Sequence, residues 1–159
     1  RVRGAIFSIL GQETVEGARV LDLYAGTGAL GIEALSRGAD WADFVEADAR
    51  RCIQIRDNLR ELGLAQKGHV YQSRVEKALT VLASPYDIVF IDPPYDLDPW
   101  DWLLNALSER GLVKAGGTVV AEHSPRMSLA GRYGRLVLET SRRYGDTSVS
   151  IYRAGYENG

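Results

Sequence analysis

One stretch constrains the fold more than any other: Val20-Leu21-Asp22-Leu23-Tyr24-Ala25-Gly26-Thr27-Gly28-Ala29-Leu30-Gly31. A short apolar strand runs without a spacer into a glycine-rich turn and on into a helix. Gly26, Gly28 and Gly31 satisfy the spacing G-x-G-x-x-G. Such a turn lacks β-carbons where the chain bends tightly, lets a ligand approach the backbone, and presents a helix amino terminus.

The rest of the chain continues the alternation. Helical spacing covers Arg1–Leu10, with Val2, Ile6, Ile9 and Leu10 on one side. Strands are expected at Arg19–Tyr24, Trp41–Glu46, His69–Gln72, Tyr86–Ile91 and Gly116–Glu122. Helices are expected over Gly28–Arg37, Asp48–Leu62, Val75–Leu82 and Pro99–Arg110. Gly131 and Gly134 mark a loop, and Arg135–Arg143 pairs with Thr147–Arg153 across a turn at Gly145-Asp146. This order predicts an α/β fold: a mostly parallel, Rossmann-like sheet with helices on both faces and a C-terminal antiparallel hairpin. At 159 residues it reads as one domain. In such sheets ligands gather at the carboxyl ends of the strands.

Composition excludes several classes. No apolar run approaches the roughly 20 residues of a membrane span, and no signal peptide opens the chain, so a cytoplasmic protein without a membrane partner is expected. Cys52 is the lone cysteine and the two histidines lie far apart, which argues against a disulfide and against a metal site. The net charge is −2, but it is uneven. Residues 1–109 hold 11 Lys/Arg against 17 Asp/Glu, and residues 110–159 hold 8 against 4, so the last third is the candidate phosphate-facing region. The chain opens Arg1-Val2-Arg3 without methionine and reads as the interior of a longer protein.

The glycine turn fits two cofactors, a dinucleotide or S-adenosylmethionine. Glu46 ends the next strand, twenty residues after Gly26, where a carboxylate can accept from both ribose hydroxyls. Asp22 separates the two. It lies four residues before Gly26, where it repels a pyrophosphate and suits a cationic amino-acid tail.

The fourth strand runs into Asp92-Pro93-Pro94-Tyr95. The Asp92 carboxylate and the Pro93 carbonyl can each accept one hydrogen of an exocyclic amine. That favours the pyramidal nitrogen needed for in-line attack on a methyl group. Tyr95 can stack on an extruded base, and the prolines hold the loop open. A proline-rich turn with a capping acid is the plainer account of the same residues. The matching cofactor motif at a strand end favours the chemical one.

These residues resemble the bacterial RsmD-type 16S rRNA guanine-N2 methyltransferases. The likeness runs through RVRGAIFSIL, VLDLYAGTGALGIEALSRGA, FVEAD, FIDPPY and RRYGDT. It implies a seven-stranded class I methyltransferase sheet, S-adenosylmethionine as donor, and a guanine of 16S rRNA or the small ribosomal subunit as acceptor, assembled or partly assembled. It places Asp22, Gly26 and Gly28 at the methionine part, Glu46 at the ribose, and Asp92, Pro93, Pro94 and Tyr95 at the target amine. Tyr24, Thr27 and Ala47 join the cofactor set. Ser73-Arg74-Val75 lacks the acid often found there in other methyltransferases, so backbone amides at Arg74 and Val75 are expected to serve the adenine. The family's N-terminal arm is missing ahead of Arg1, and Gly4 stands where an acid is usual. A monomer is expected. Adenine-N6 methylation of RNA or DNA is the alternative, an NAD-dependent dehydrogenase a more distant one, and a non-catalytic RNA-binding module a third.

Arg126, Arg132, Arg142 and Arg143 are the candidate RNA contacts, with Arg135 nearby; a charged loop and hairpin tip would look the same. Trp100, Trp102, His123 and Cys52 are read as packing residues.

Overall fold

The computed structural model describes residues 2–156. In chain order these form α1 (Val2–Leu10), α2 (Gln12–Val15), β1 (Arg19–Leu23), α3 (Ala29–Ser36), β2 (Trp41–Glu46) and α4 (Ala49–Glu61). A 3-10 turn (Ala65–Lys67) leads to β3 (Gly68–Gln72), α5 (Val75–Val81), β4 (Tyr86–Ile91), α6 (Trp100–Glu109) and β5 (Val113–His123). β6 (Arg132–Tyr133), β7 (Leu136–Tyr144) and β8 (Thr147–Ala154) close the chain. Arg1, the first residue of the expected opening helix, lies outside the described residues.

One sheet carries everything, in the order β3-β2-β1-β4-β5-β8-β7-β6. β1 to β5 are parallel, and β8, β7 and β6 attach antiparallel. The expected seven-stranded sheet has eight strands. The extra one, β6, pairs only Arg132 with Val137 and Tyr133 with Leu136. Two residues carry no readable period, so β6 lay hidden in the predicted glycine loop. The four-residue α2 escaped notice for the same reason.

Alternation along the strands sorts the core into two layers. Leu21, Leu23, Val89, Ile91 and Val119 pack with α5 and α6. Val20, Phe44, Ile88, Phe90 and Val120 pack with α1, α3 and α4. Phe44 and Phe90 are fully buried, each contributing roughly 2–3 kcal/mol of burial. Asp43, buried in β2, is held by the Tyr86 hydroxyl, the Trp41 indole at 2.8 Å and Arg19 at 3.5 Å. Asp48 caps α4, accepting from the amides of Arg50 at 2.8 Å and Arg51 at 3.2 Å.

β5 begins earlier than the expected Gly116 because it is bulged against β4. Tyr86 pairs with Val113 and Ile88 with Thr118, so two steps on β4 match five on β5. Gly117 sits in the bulge, where an added β-carbon would lie 2.8 Å from the Lys114 carbonyl oxygen.

Candidate active site

The sheet reverses direction of growth at β1, which has β2 on one side and β4 on the other. A crevice opens there at the strand carboxyl ends. It holds a cavity of about 850 Å³ whose wall includes Asp22, Tyr24, Gly26, Thr27, Glu46, Ala47, Arg74, Val75, Asp92, Pro93 and Pro94. The two motifs, far apart in sequence, thus share one space. A smaller cavity of about 210 Å³ adjoins it and takes in Tyr95, Trp100, His123 and Thr147. Of the sequence-derived cofactor set, Gly28 alone stays off the larger wall. Its φ of 80° forms the left-handed step before α3, and its Cα faces Ile55 of α4.

Each acid is placed by its strand. Asp22 is 2% exposed and accepts the Gly31 amide at 2.9 Å. Glu46 accepts the Gly26 amide at 2.8 Å through one oxygen and the Asp48 amide at 2.9 Å through the other. It therefore ties the turn after β1 to the turn after β2, beyond any ribose contact. Tyr24 follows β1 with φ 56°, an unusual conformation for a side chain of its size, at the cavity wall.

The row of acids extends further than the motifs indicated. Leu23 pairs with Val45 and Ile91, and Ile91 with Ala121. One residue on, Glu46, Asp92 and Glu122 share a level across β2, β4 and β5. Each lies two residues after a side chain of the α1–α3–α4 layer, hence on one face. Burial is the main cause that raises all three of the following groups. Asp22 stands well above its ordinary range, against the opposing Gly31 hydrogen bond and with Asp92, Glu122 and Glu46 adding repulsion. Asp92 is raised by burial, and Glu122 is pushed up to about 7 by burial and by Asp92. Among the described residues no basic side chain offsets these shifts. Among the described residues the acids do not form a metal-binding cluster. A wall of this charge suits a cationic ligand and disfavours a pyrophosphate.

The Asp92–Tyr95 loop is held by a turn in which the Leu97 amide donates to the Pro94 carbonyl at 2.9 Å. Among the described residues, neither the Asp92 carboxylate nor the Pro93 carbonyl accepts a hydrogen bond. Tyr95 is 70% exposed, and its hydroxyl donates to Ser124 Oγ at 3.3 Å. Trp102, 41% exposed, lines the larger cavity, whereas Trp100 is buried against His123. His123 is engaged by the Ser124 carbonyl oxygen at 2.9 Å and Ser150 Oγ at 2.7 Å. Sequence reasoning missed Glu122 and Arg51 as wall residues. Glu122 had a signal: like Glu46, it is an acid at a strand end.

The arginines divide. Arg142 and Arg143 are exposed at the hairpin tip, where Arg143 pairs with Ser148 next to the His123–Ser148 register, at the active end of the sheet. Arg126 is exposed beside Ser124. Arg132 pairs with Val137 near the opposite end, and Arg135 is spent on the Gly155 carbonyl at 2.6 Å.

This sheet order, with a glycine turn and an acid row at its switch point, defines a class I methyltransferase. The chain belongs to the family described as conserved hypothetical protein 95, whose model matches residues 1–153, and with it to the RsmD type of methyltransferase. A Bacillus subtilis protein named "Putative rRNA methyltransferase YlbH" is 36% identical over 156 residues, covering 96% of this chain and 84% of that one. Ribosomal RNA small subunit methyltransferase D of Escherichia coli K12 is 31% identical over 153 residues, covering 96% and 76%. Among solved structures, a conserved hypothetical protein of Streptococcus pyogenes superposes with a TM-score of 0.90 at 33% identity over 96% of this chain and 94% of that one. An RNA methyltransferase from Salinibacter ruber, in complex with S-adenosyl-L-homocysteine, shares the fold with a TM-score of 0.76 at 18% identity over 99% and 93%.

Proposed function

We propose that this chain transfers a methyl group from S-adenosylmethionine to the exocyclic N2 of a guanine in 16S rRNA, free or within a small ribosomal subunit. The observation that carries the reading is the pair of unengaged acceptors, Asp92 carboxylate and Pro93 carbonyl, on the same cavity wall as the glycine turn and Glu46.

The residues fit the donor. Asp22 faces the cavity as a buried acid suited to an ammonium, and Glu46 has lone pairs left for ribose hydroxyls. No side chain caps the amino end of α5, so the amides around Arg74 and Val75 remain available for the adenine. S-adenosylmethionine supplies an electrophilic methyl group on a sulfonium, whose positive charge the acid row favours. Asp92 and Pro93 take the two amine hydrogens and orient the nitrogen lone pair. Tyr95 offers an exposed ring for the extruded base. The proton released by the methylated amine passes to water. Arg126, Arg142 and Arg143, at the active end, are the phosphate contacts that hold the RNA. The enzyme works where ribosomes are made, in the cytoplasm.

The test is methyl transfer to small-subunit rRNA and to small subunits, with the product nucleoside identified by mass spectrometry. N2-methylguanosine is expected, falling at least about 100-fold in Asp92→Asn with S-adenosylhomocysteine binding retained. Undiminished transfer by Asp92→Asn defeats the assignment, and N6-methyladenosine as product would establish the adenine alternative.

A further inference from the structure

We infer that Glu122 selects guanine at the acceptor site, its carboxylate accepting the ring N1–H beside the amine that Asp92 and Pro93 hold. The inference rests on the methyltransferase reading above and narrows it to one base.

Position comes first. The Ile91–Ala121 register sets Glu122 next to Asp92 on the neighbouring strand. Five residues line both cavities: Asp92, Pro93, Pro94, Leu97 and Glu122. Four of them belong to the acceptor loop and its turn. Glu122 is the one contribution from another strand, and it stands where the cofactor-side space meets the space around Tyr95. Among the described residues its carboxylate accepts no hydrogen bond, although it is largely buried and its neighbour Asp92 repels it. His123, the next residue, is engaged elsewhere by Ser150 and the Ser124 carbonyl.

Chemistry then distinguishes the bases. Asp92 and the Pro93 carbonyl satisfy two amine hydrogens, whether these belong to guanine N2 or adenine N6. Those two acceptors alone cannot choose. The ring atom beside the amine differs, however. Guanine N1 carries a hydrogen, and adenine N1 carries a lone pair. In its ionised form, which prevails above about pH 7, the carboxylate at that place gains a hydrogen bond from guanine and meets repulsion from adenine. Buried groups left unpaired or opposed by the wrong partner are a strong source of selectivity. A bond of this charge-assisted kind corresponds to about a 10- to 100-fold preference.

The test uses the full chain and small-subunit rRNA assembled by ligation, with guanine or 2-aminopurine at the methylated position. 2-Aminopurine keeps the amine and replaces N1–H by a lone pair. At pH 8, where Glu122 is ionised, the wild-type chain is expected to favour guanine by at least about 10-fold in kcat/KM. Glu122→Gln is expected to bring the two substrates within about threefold of each other, mainly by losing rate on guanine, since its amide can face either base. Glu122→Asp, which keeps the carboxylate, should restore part of the preference and guards against a folding defect in the first variant. An unchanged ratio in Glu122→Gln overturns the inference. So does wild-type transfer to adenine N6, which would leave the methyltransferase reading standing; absence of any transfer to rRNA would remove both.

Discussion

The Gly31 amide donates to Asp22 Oδ2 over 2.9 Å, so the last glycine of the turn and the deepest acid of the cavity form one buried unit. A β-carbon at position 31 would lie 2.9 Å from Phe44 Cζ, closer still to Phe44 Cε2, and 3.1 Å from the Asp22 oxygen. Phe44 is fully buried and has nowhere to move. Gly31→Ala is therefore expected to cost about 1–3 kcal/mol, read as a lowered midpoint in urea. An unchanged midpoint would show that α3 can shift away from β1 freely.

Glu46 bridges two turns as well as facing the cavity. In Glu46→Gln one of the amides of Gly26 and Asp48 meets an NH2 group instead of an oxygen. Calorimetry with S-adenosylhomocysteine should show affinity reduced about 10-fold or more, with stability lowered by about 1–2 kcal/mol. Full affinity in this variant would remove Glu46 from the cofactor site.

The pH dependence follows from Glu122, whose carboxyl is pushed up to about 7 in the folded chain. An unfolded glutamate titrates near 4.3. The folded state thus keeps a proton that the unfolded state has lost, and this contribution is fully present below about pH 4 and lost as pH rises through about 7. The charged groups that line the two cavities with Glu122 are Asp22, Glu46, Glu76, Asp92, Asp98, Arg51 and Arg74, with His123 adjacent. Glu122→Gln should exceed the wild-type melting temperature only slightly at pH 5 and by more at pH 8, the gap widening by roughly 3–6 °C for about 1–2 kcal/mol. Parallel curves across that range would refute the burial of charge at this position.

At the hairpin tip, Arg142→Glu with Arg143→Glu should weaken RNA binding and lower the dependence of log affinity on log salt by about 1–2. S-adenosylhomocysteine binding should not move, because neither arginine touches the larger cavity. The same double change made at Arg132 and Arg135, near the other end of the sheet, serves as the comparison and should leave the salt slope intact.

Much of this molecule is written locally. The five parallel strands and their helices were legible because each carries its own period, with stops such as Gly63 after α4 and the prolines after β4. The cofactor turn and the Asp92–Tyr95 loop were legible because their residue types are tied to one chemistry. What escaped depends on register. Glu122 becomes a site residue only once Ile91 is paired with Ala121, and that pairing is a relation between two distant segments. Gly28 looked like cofactor wall because the motif lists three glycines alike; its neighbour Ile55, on another helix, decides otherwise. Arg132 looked equivalent to Arg142 until the antiparallel run of β7 and β8 carried them toward opposite ends.

The bulge in β5 has a further effect on what evolution and engineering can do here. Because β5 uses five steps where β4 uses two, three residues are taken out of step before the strands run together again. Had the pairing that starts at Tyr86 and Val113 continued evenly, Val119 would stand beside Asp92 and the position would be greasy. The bulge at Lys114 to Gly117 therefore takes up three residues, and that slippage brings Glu122 rather than Val119 beside Asp92. Flattening the bulge with its residues kept would exchange an acid for a valine at the acceptor without a single substitution there, whereas deleting its three extra residues would let β5 pair evenly with β4 and still leave Glu122 beside Asp92.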